Sequence, residues 1–230
     1  MRVAICSILI FAASLALVNT VTAGEAKGTA KVDDAIEVLE QLVSIPEKTI
    51  APALLNNAGG IAIIPNVIKA GFIIGGRYGN GVLMTRQKNG QWSNPVFITL
   101  AGGSIGWQAG VESVDIILVF KSERSVEGIV RGKFTLGADA SIAAGPVGRQ
   151  ASAATDIQLK SEIYSYSRTR GLFAGLSLEG ASMQVNYDAN EAFYGKTGIT
   201  AGEILTGDGL KAPSAAERLR NLLSGYTETK

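Results

Sequence analysis

The chain has no histidine, a single cysteine and only six prolines in 230 residues. Without histidine there is no Ser-His-Asp triad, no Cys-His dyad and no histidine-ligated zinc. With one cysteine, Cys6, no disulfide can form within the chain. Charge is sparse as well: 18% of residues are charged, with a formal net charge of +1, against a usual charged fraction of about 25%. A nearly neutral chain lacks the positive footprint with which nucleic-acid binders release counterions from phosphates. What is present is apolar residue and glycine. The hydrophobic fraction is 47%, too high for intrinsic disorder. The 28 glycines follow no Gly-X-Y period, which excludes collagen.

The N-terminal segment has the form of a secretory signal. Arg2 precedes an apolar run from Val3 to Val18, and Val21-Thr22-Ala23 supplies the small residues of a cleavage site. The run is shorter than the ~20 residues that span a bilayer comfortably. Residues 1–23 are therefore expected to leave after Ala23, a retained anchor being the other reading. Cys6 and Arg2 would leave with them, so residues 24–230 carry no cysteine and no net charge. That remainder is long enough for one core, and no Pro/Ser-rich linker divides it.

Val32, Ile36, Leu39 and Val43 recur on one helical face, predicting an amphipathic helix over 30–45 that Pro46 ends. A second short helix is expected within 47–57. From Ile61 short apolar runs alternate with glycine. Ile61–Ile64 reads as a strand ending at Pro65, and Asn80-Gly81 and Asn89-Gly90 each read as a hairpin turn. Val96–Leu100 and Val114–Phe120 continue this meander. Ser122–Val130 reads as a short helix, and Tyr164, Tyr166 and Arg168 alternate with serines as on a two-faced strand. Asp188-x-x-Glu191 and Ser214-x-x-Glu217 look like capping boxes, with Gly195 and Gly225 ending their helices. The expected fold is α+β: one domain, mostly antiparallel glycine-rich sheet, a meander curled toward a barrel or sandwich, with helices at both ends.

The catalytic motifs fail on chemistry. Gly102-Gly103-Ser104-Ile105-Gly106 matches the nucleophile elbow, but no histidine exists to act as its base. Gly195-Lys196-Thr197 has Asn190 where a P-loop needs its first glycine. Lys196-Thr197-Gly198 lacks the S-x-x-K partner of penicillin-binding enzymes. A carboxylate pair such as Glu112 with Asp115 remains possible in principle. No metal or cofactor site is expected. The basic residues are more suggestive. Lys69, Arg77, Lys133, Arg149, Lys160, Arg168 and Arg170 lie in or beside the glycine-rich stretch. Arginine forks suit phosphate oxygens, and tyrosines such as Tyr164 and Tyr166 suit a headgroup boundary. Ordinary solvated surface charge is the other reading.

Asn57–Pro65, Lys69–Gly76, Ala144–Arg149, Tyr164–Arg168, Gly171–Gly180 and Asn190–Gly195 together resemble, in order, the SYLF lipid-binding domain. The likeness runs over roughly residues 30–205, with the helix expected at 214–224 beyond it. The resemblance implies a membrane-associated module rather than an enzyme. Eukaryotic members bind phosphoinositides, partly through an N-terminal amphipathic helix, and some bind and bundle actin; bacterial members are commonly small exported proteins. Here the first helix carries Asp33, Asp34, Glu37 and Glu40 against Lys31, an acidic face where membrane helices carry a basic one.

The expectation is an exported protein, periplasmic or secreted, that binds phospholipid headgroups through Lys69, Arg77, Arg149, Tyr164, Tyr166, Arg168 and Arg170. A protein–protein or structural module of the bacterial envelope is the alternative, with its partner unspecified. A hydrolase working with carboxylates alone is a third reading.

Overall fold

A computed structural model describes residues 23–41, 50, 52–146, 160–169, 172–175 and 178–227, with positions 72–74, 104–110 and 172–175 placed by backbone and register. Residues 1–22 of the expected signal segment, Val43, Arg149 and Arg170 lie outside those residues.

The helices are α1 (residues 23–41), α2 (Pro52–Asn56), α3 (Glu123–Arg131), α4 (Tyr187–Tyr194), α5 (Ala201–Thr206) and α6 (Ser214–Thr227). The strands are β1 (Gly60–Thr85), β2 (Val96–Phe120), β3 (Phe134–Thr135), β4 (Ile142–Ala144), β5 (Ile163–Thr169), β6 (Leu172–Gly175) and β7 (Ser182–Val185). They form one sheet in the order β3-β7-β2-β5-β4, with β1 on β2 and β6 on β5. Every pairing is antiparallel except β4 with β5. The α+β class, the dominant antiparallel sheet and the helices toward both ends are as the composition predicts.

The meander differs in kind. Instead of several short strands there are two very long ones, 26 and 25 residues, paired from Gly60↔Phe120 to Leu83↔Val96. Asn89-Gly90 is the turn between them, with Gly90 at φ 83° and its N–H donating to the Gln87 carbonyl at 2.8 Å. Asn80-Gly81 is not a turn. It lies inside β1 opposite Thr99 and Ile98, and the Asn80 side-chain Oδ1 accepts from the Thr99 hydroxyl at 2.8 Å. Gly81 serves close approach instead: a Cβ there would sit 2.2 Å from the Ile63 carbonyl oxygen.

Nor does Pro65 end the strand. Among the described residues β1 pairs only with β2, so it is an edge strand, where proline is tolerated. The register shifts between Ile64 and Val67, across Pro65-Asn66. Asn66 takes a left-handed φ of 55° there, and its N–H donates to Asp115 Oδ1 at 2.9 Å. A second shift lies between Gly71 and Ile73, where Gly71↔Gly110 gives way to Ile73↔Gly106. The strand folds back at this point. Cβ atoms at Gly75, Gly79 and Gly81 would strike Ala70, Val67 and Ile63–Ile64, and the Arg86 N–H reaches the Gly59 carbonyl at 2.9 Å.

The sheet has a core on each face. Ile61, Ile63, Ile117, Val119, Tyr164 and Tyr166 pack under Val32, Ala35, Val38 and Leu39 of α1, Leu54 of α2, Phe193 of α4, and Leu219 and Leu223 of α6. Ala62, Ile64, Val67, Leu83, Ile98, Ile116 and Leu118 face the other way, with Val126 and Ile129 of α3 and Ile204 of α5. Period-two alternation along each strand divides the two sets. Fully burying one such side chain contributes about 1.5–3 kcal/mol.

Two capping assignments change. The cap of α4 is Asn186, whose side-chain Oδ1 accepts from the Ala189 N–H at 3.1 Å, not Asp188; Gly195 does end that helix in the left-handed region. Helix α6 runs through Gly225 to Thr227, whose hydroxyl donates to the Leu223 carbonyl at 3.1 Å. The capping box with both bonds present is Thr200–Glu203 on α5.

Candidate functional site

The basic residues separate by strand parity. On the helix side, Tyr164 and Tyr166 are fully in the core, at 4% and 0% exposure. The Tyr164 hydroxyl accepts from the Ser161 N–H at 2.9 Å. The Tyr166 hydroxyl is buried with no hydrogen-bond partner among the described residues, and burial, then the Tyr164 phenol, raises its pKa. Its ring lies against Gly145, where a Cβ would be 2.0 Å from Cζ. Neither tyrosine is placed at a surface where a headgroup boundary would lie. They alternate with polar Ser165 and Ser167 as a two-faced strand should, but the face they share is the interior one.

Arg168 shares that face, at its margin. Its Nε and Nη2 both donate to Asp115 Oδ2, at 2.7 and 2.5 Å. The two side chains keep 16% and 10% of their exposure. Asp115 Oδ1 meanwhile holds the Asn66 bulge. Arg168 is therefore committed inside the fold, where its fork fixes β5 to the bulged stretch of β1. Asp115 and Glu112 do not form a carboxylate pair. Val114 and Glu112 face a cavity on one side of β2, and Asp115 faces Arg168 on the other.

Lys69 and Arg77 converge on that cavity. Eight positions apart on β1, they approach because the strand folds back between them. Arg77 stands on the same face as Gly75, Gly79 and Gly81, the glycines that permit the fold-back. The cavity, of about 110 Å³, is lined by Val67, Lys69, Arg77, Glu112, Val114, Ile116 and Ser167. Lys69 stands directly opposite Glu112 in the ladder, a cross-strand pair of opposite charge. Arg77 is half-buried, and burial lowers its pKa from the usual value; guanidinium remains charged throughout the protein range. Two cations and a serine hydroxyl beside the one carboxylate leave the lining with a single excess positive charge, which suits an oxyanion. The volume is roughly four water molecules' share of liquid, well below the about 300–1,000 Å³ of small-molecule pockets. Sequence reasoning marked Lys69 and Arg77 but missed Glu112 and Ser167 as their companions. Only the fold-back and the β2–β5 register bring those two alongside.

Other clusters are taken up internally. Arg86 bonds the Asn56 carbonyl at 2.7 Å and lies 5.3 Å over the Trp92 ring. Glu162 accepts from Ser122 and Ser125 at the start of α3. Lys196 of the Lys-Thr-Gly stretch pairs with Glu203 at 2.8 Å. The Gly-x-Ser-x-Gly stretch lies within β2 rather than on a strand-to-helix turn. Among the described residues no group of three acidic side chains is placed to hold a metal ion.

Comparison with known proteins gives a consistent result. A family model, Ysc84, described as "Las17-binding protein actin regulator", matches residues 101–226. Protein YSC84 of Saccharomyces cerevisiae is 41% identical over 180 residues, covering 77% of this chain and 38% of the yeast protein. The Xenopus laevis SH3 domain-containing YSC84-like protein 1 is 36% identical over 200 residues, covering 84% of this chain and 59% of its own length. The human protein of the same name is 36% identical over 184 residues, covering 80% and 53%. The chain thus spans well under two thirds of these relatives.

Proposed function

The chain belongs to the Ysc84 family, whose domain is the SYLF module, and from that premise we propose that it is a non-catalytic binding module for anionic phospholipid surfaces, exported and peripheral on a membrane of the cell envelope. One observation carries the reading: Lys69 and Arg77 converge on one small cavity beside exposed strand. Of the residues expected to bind lipid, these two keep the role. Arg149 and Arg170 stay proposed from sequence alone.

The acidic first helix is not part of the reading. Its apolar side chains Val32, Ala35, Val38 and Leu39 are buried in the helix-side core. A membrane surface would have to unfold that core to reach them.

Vesicle flotation tests the proposal. The chain should float with phosphatidylglycerol, cardiolipin or phosphoinositide vesicles at low salt, less so at high salt. Lys69→Gln and Arg77→Gln should each weaken partitioning roughly fivefold, as for a cation at an anionic surface. No flotation with any of these lipids overturns the reading. A protein-binding module is the second reading, favoured by the family description and the relatives' names. Co-sedimentation with actin filaments, with no vesicle binding, would select it.

A further inference from the structure

Resting on that lipid-surface reading, we propose that the bend of the β1–β2 ladder is the element that enters the bilayer interface, with Ile68, Val111 and Tyr78 meeting the acyl-chain boundary. The argument begins with the helix-side face of the sheet. Ile61, Ile63, Ile117 and Val119 on that face are covered by helices. The buried Asp115–Arg168 pair marks where the cover ends. Past it the same face continues with no helix over it among the described residues. Ile68 is 44% exposed, and Val111, directly opposite exposed Ala70, is 76% exposed. On the returning half of β1, Tyr78 continues the face of buried Val82 and Met84 and is 55% exposed.

Scattered surface apolar residues are ordinary. These are not scattered, because the fold-back gathers them at one end of the ladder. Over residues 66–79 and 101–114 the only charged residues are Lys69, Arg77 and Glu112. The two cations border the cavity described above. An apolar bend beside cations and a half-exposed tyrosine has the chemistry of the headgroup–acyl boundary, where aromatic rings with polar tips collect.

The shape favours a bilayer over a peptide. The strand reverses within a few residues, since a Cβ at Gly75 would lie 2.3 Å from the Ala70 carbonyl oxygen, so the bend is convex. Peptide and helix ligands are taken up in grooves or along sheet edges, whereas a convex apolar tip fits a soft planar surface. Pairing between the two strands satisfies the backbone groups that face each other there. The outward-facing groups of the ribbon stay with water and headgroups, which keeps the bend at the interface rather than in the hydrocarbon core. The expected depth is that of an interfacial element, about 5–10 Å.

The experiment uses the full chain with Cys6→Ser and one new cysteine, Val111→Cys, carrying an environment-sensitive fluorophore. Lys211→Cys, exposed on the segment before α6, is the control. Phosphatidylglycerol vesicles with brominated acyl chains are the quencher. Quenching at 111 several-fold above that at 211 is expected, and unlabelled Ile68→Ser/Val111→Ser should partition about tenfold more weakly while keeping its far-UV spectrum. Vesicle binding without quenching at 111, or unchanged binding by the double variant, overturns the proposal and leaves the headgroup reading standing. Absence of binding to every vesicle defeats both. Lipid-free self-association abolished by Val111→Ser would overturn it in favour of a second copy on this face.

Discussion

Asp115 is the side chain on which most of the local geometry converges. One oxygen holds the Asn66 N–H in the first bulge and the other takes both donors of Arg168. Removing one partner of a buried pair leaves the other charge stranded, at about 3–5 kcal/mol. Asp115→Ala should therefore destabilise by about 3 kcal/mol in urea unfolding, while Asp115→Ala/Arg168→Met should recover part of the loss. A second residue-scale test concerns Tyr166, whose hydroxyl is buried without a hydrogen-bond partner among the described residues. An unsatisfied buried group costs about 1–3 kcal/mol, so Tyr166→Phe should raise the unfolding midpoint. A lowered midpoint would mean that the hydroxyl is satisfied after all.

Glu203 gives a pH signature. Hydrogen bonds from Lys196 and from the Thr200 backbone and side chain hold its carboxyl down at about 2, against an ordinary 4.5. Its folded pKa is depressed, so its contribution is complete above about pH 4.5 and is lost as pH falls toward 2. Carboxyl titration by NMR should place Glu203 below the other glutamates. Lys196→Gln, which removes the largest cause, should move it upward. The Thr200-x-x-Glu203 spacing behind this site is that of a capping box, which the sequence reading passes over in favour of Asp188-x-x-Glu191 and Ser214-x-x-Glu217. Ser214-x-x-Glu217 has the same spacing, but there the Glu217 N–H finds the Pro213 carbonyl at 3.3 Å.

At the scale of elements, glycine decides what the sequence reveals. Local pattern places β5, α3 and the helices toward both ends of the chain, because each depends on neighbours a few residues away. Asn80-Gly81 misleads because its glycine answers to Ile63 and Ile64, which are close only after β1 folds back. The same holds for the site: Lys69 and Arg77 were visible as cations, but not their convergence. Tyr164 and Tyr166 were visible as one face, but nothing local says which face is interior. Glycines in regular structure thus have opposite tolerances here. Gly81→Ala drives a Cβ onto backbone atoms and should cost about 3 kcal/mol, the upper end for overpacking. Gly225 lies within α6 with open space around a would-be Cβ, so Gly225→Ala should stabilise by roughly 0.5–1 kcal/mol. Chemical denaturation of the two variants side by side checks both signs.

Across the whole molecule, β2 is the shared wall of both cores. Its residues alternate between the two clusters, and its far edge is completed by β7 along Ile98–Ala101 and by β5 along Asp115–Phe120. Among the described residues, helices shield one end of the sheet, and the other end is glycine-rich ladder. A binding surface at the uncovered end can then change without disturbing the packing beneath the helices. This division matches a module that meets a partner with one end.

The long ladder also dictates an order of events. Its partners are nearest in sequence at Leu83↔Val96 and furthest at Gly60↔Phe120. Loop closure therefore favours assembly that starts at the Asn89-Gly90 turn and zips outward, with each pair shortening the loop for the next. The two register shifts are places where the zipper must pause: the first resets the parity of β1, and the second skips residues of β2 while keeping it. Gly90→Val, which penalises the left-handed turn conformation, should slow refolding in stopped-flow experiments and leave unfolding nearly unchanged. The chain ends of β1 meet, Gly59 against Arg86, only when zipping is complete, so that single backbone bond works as a latch whose amide exchange reports the finished fold.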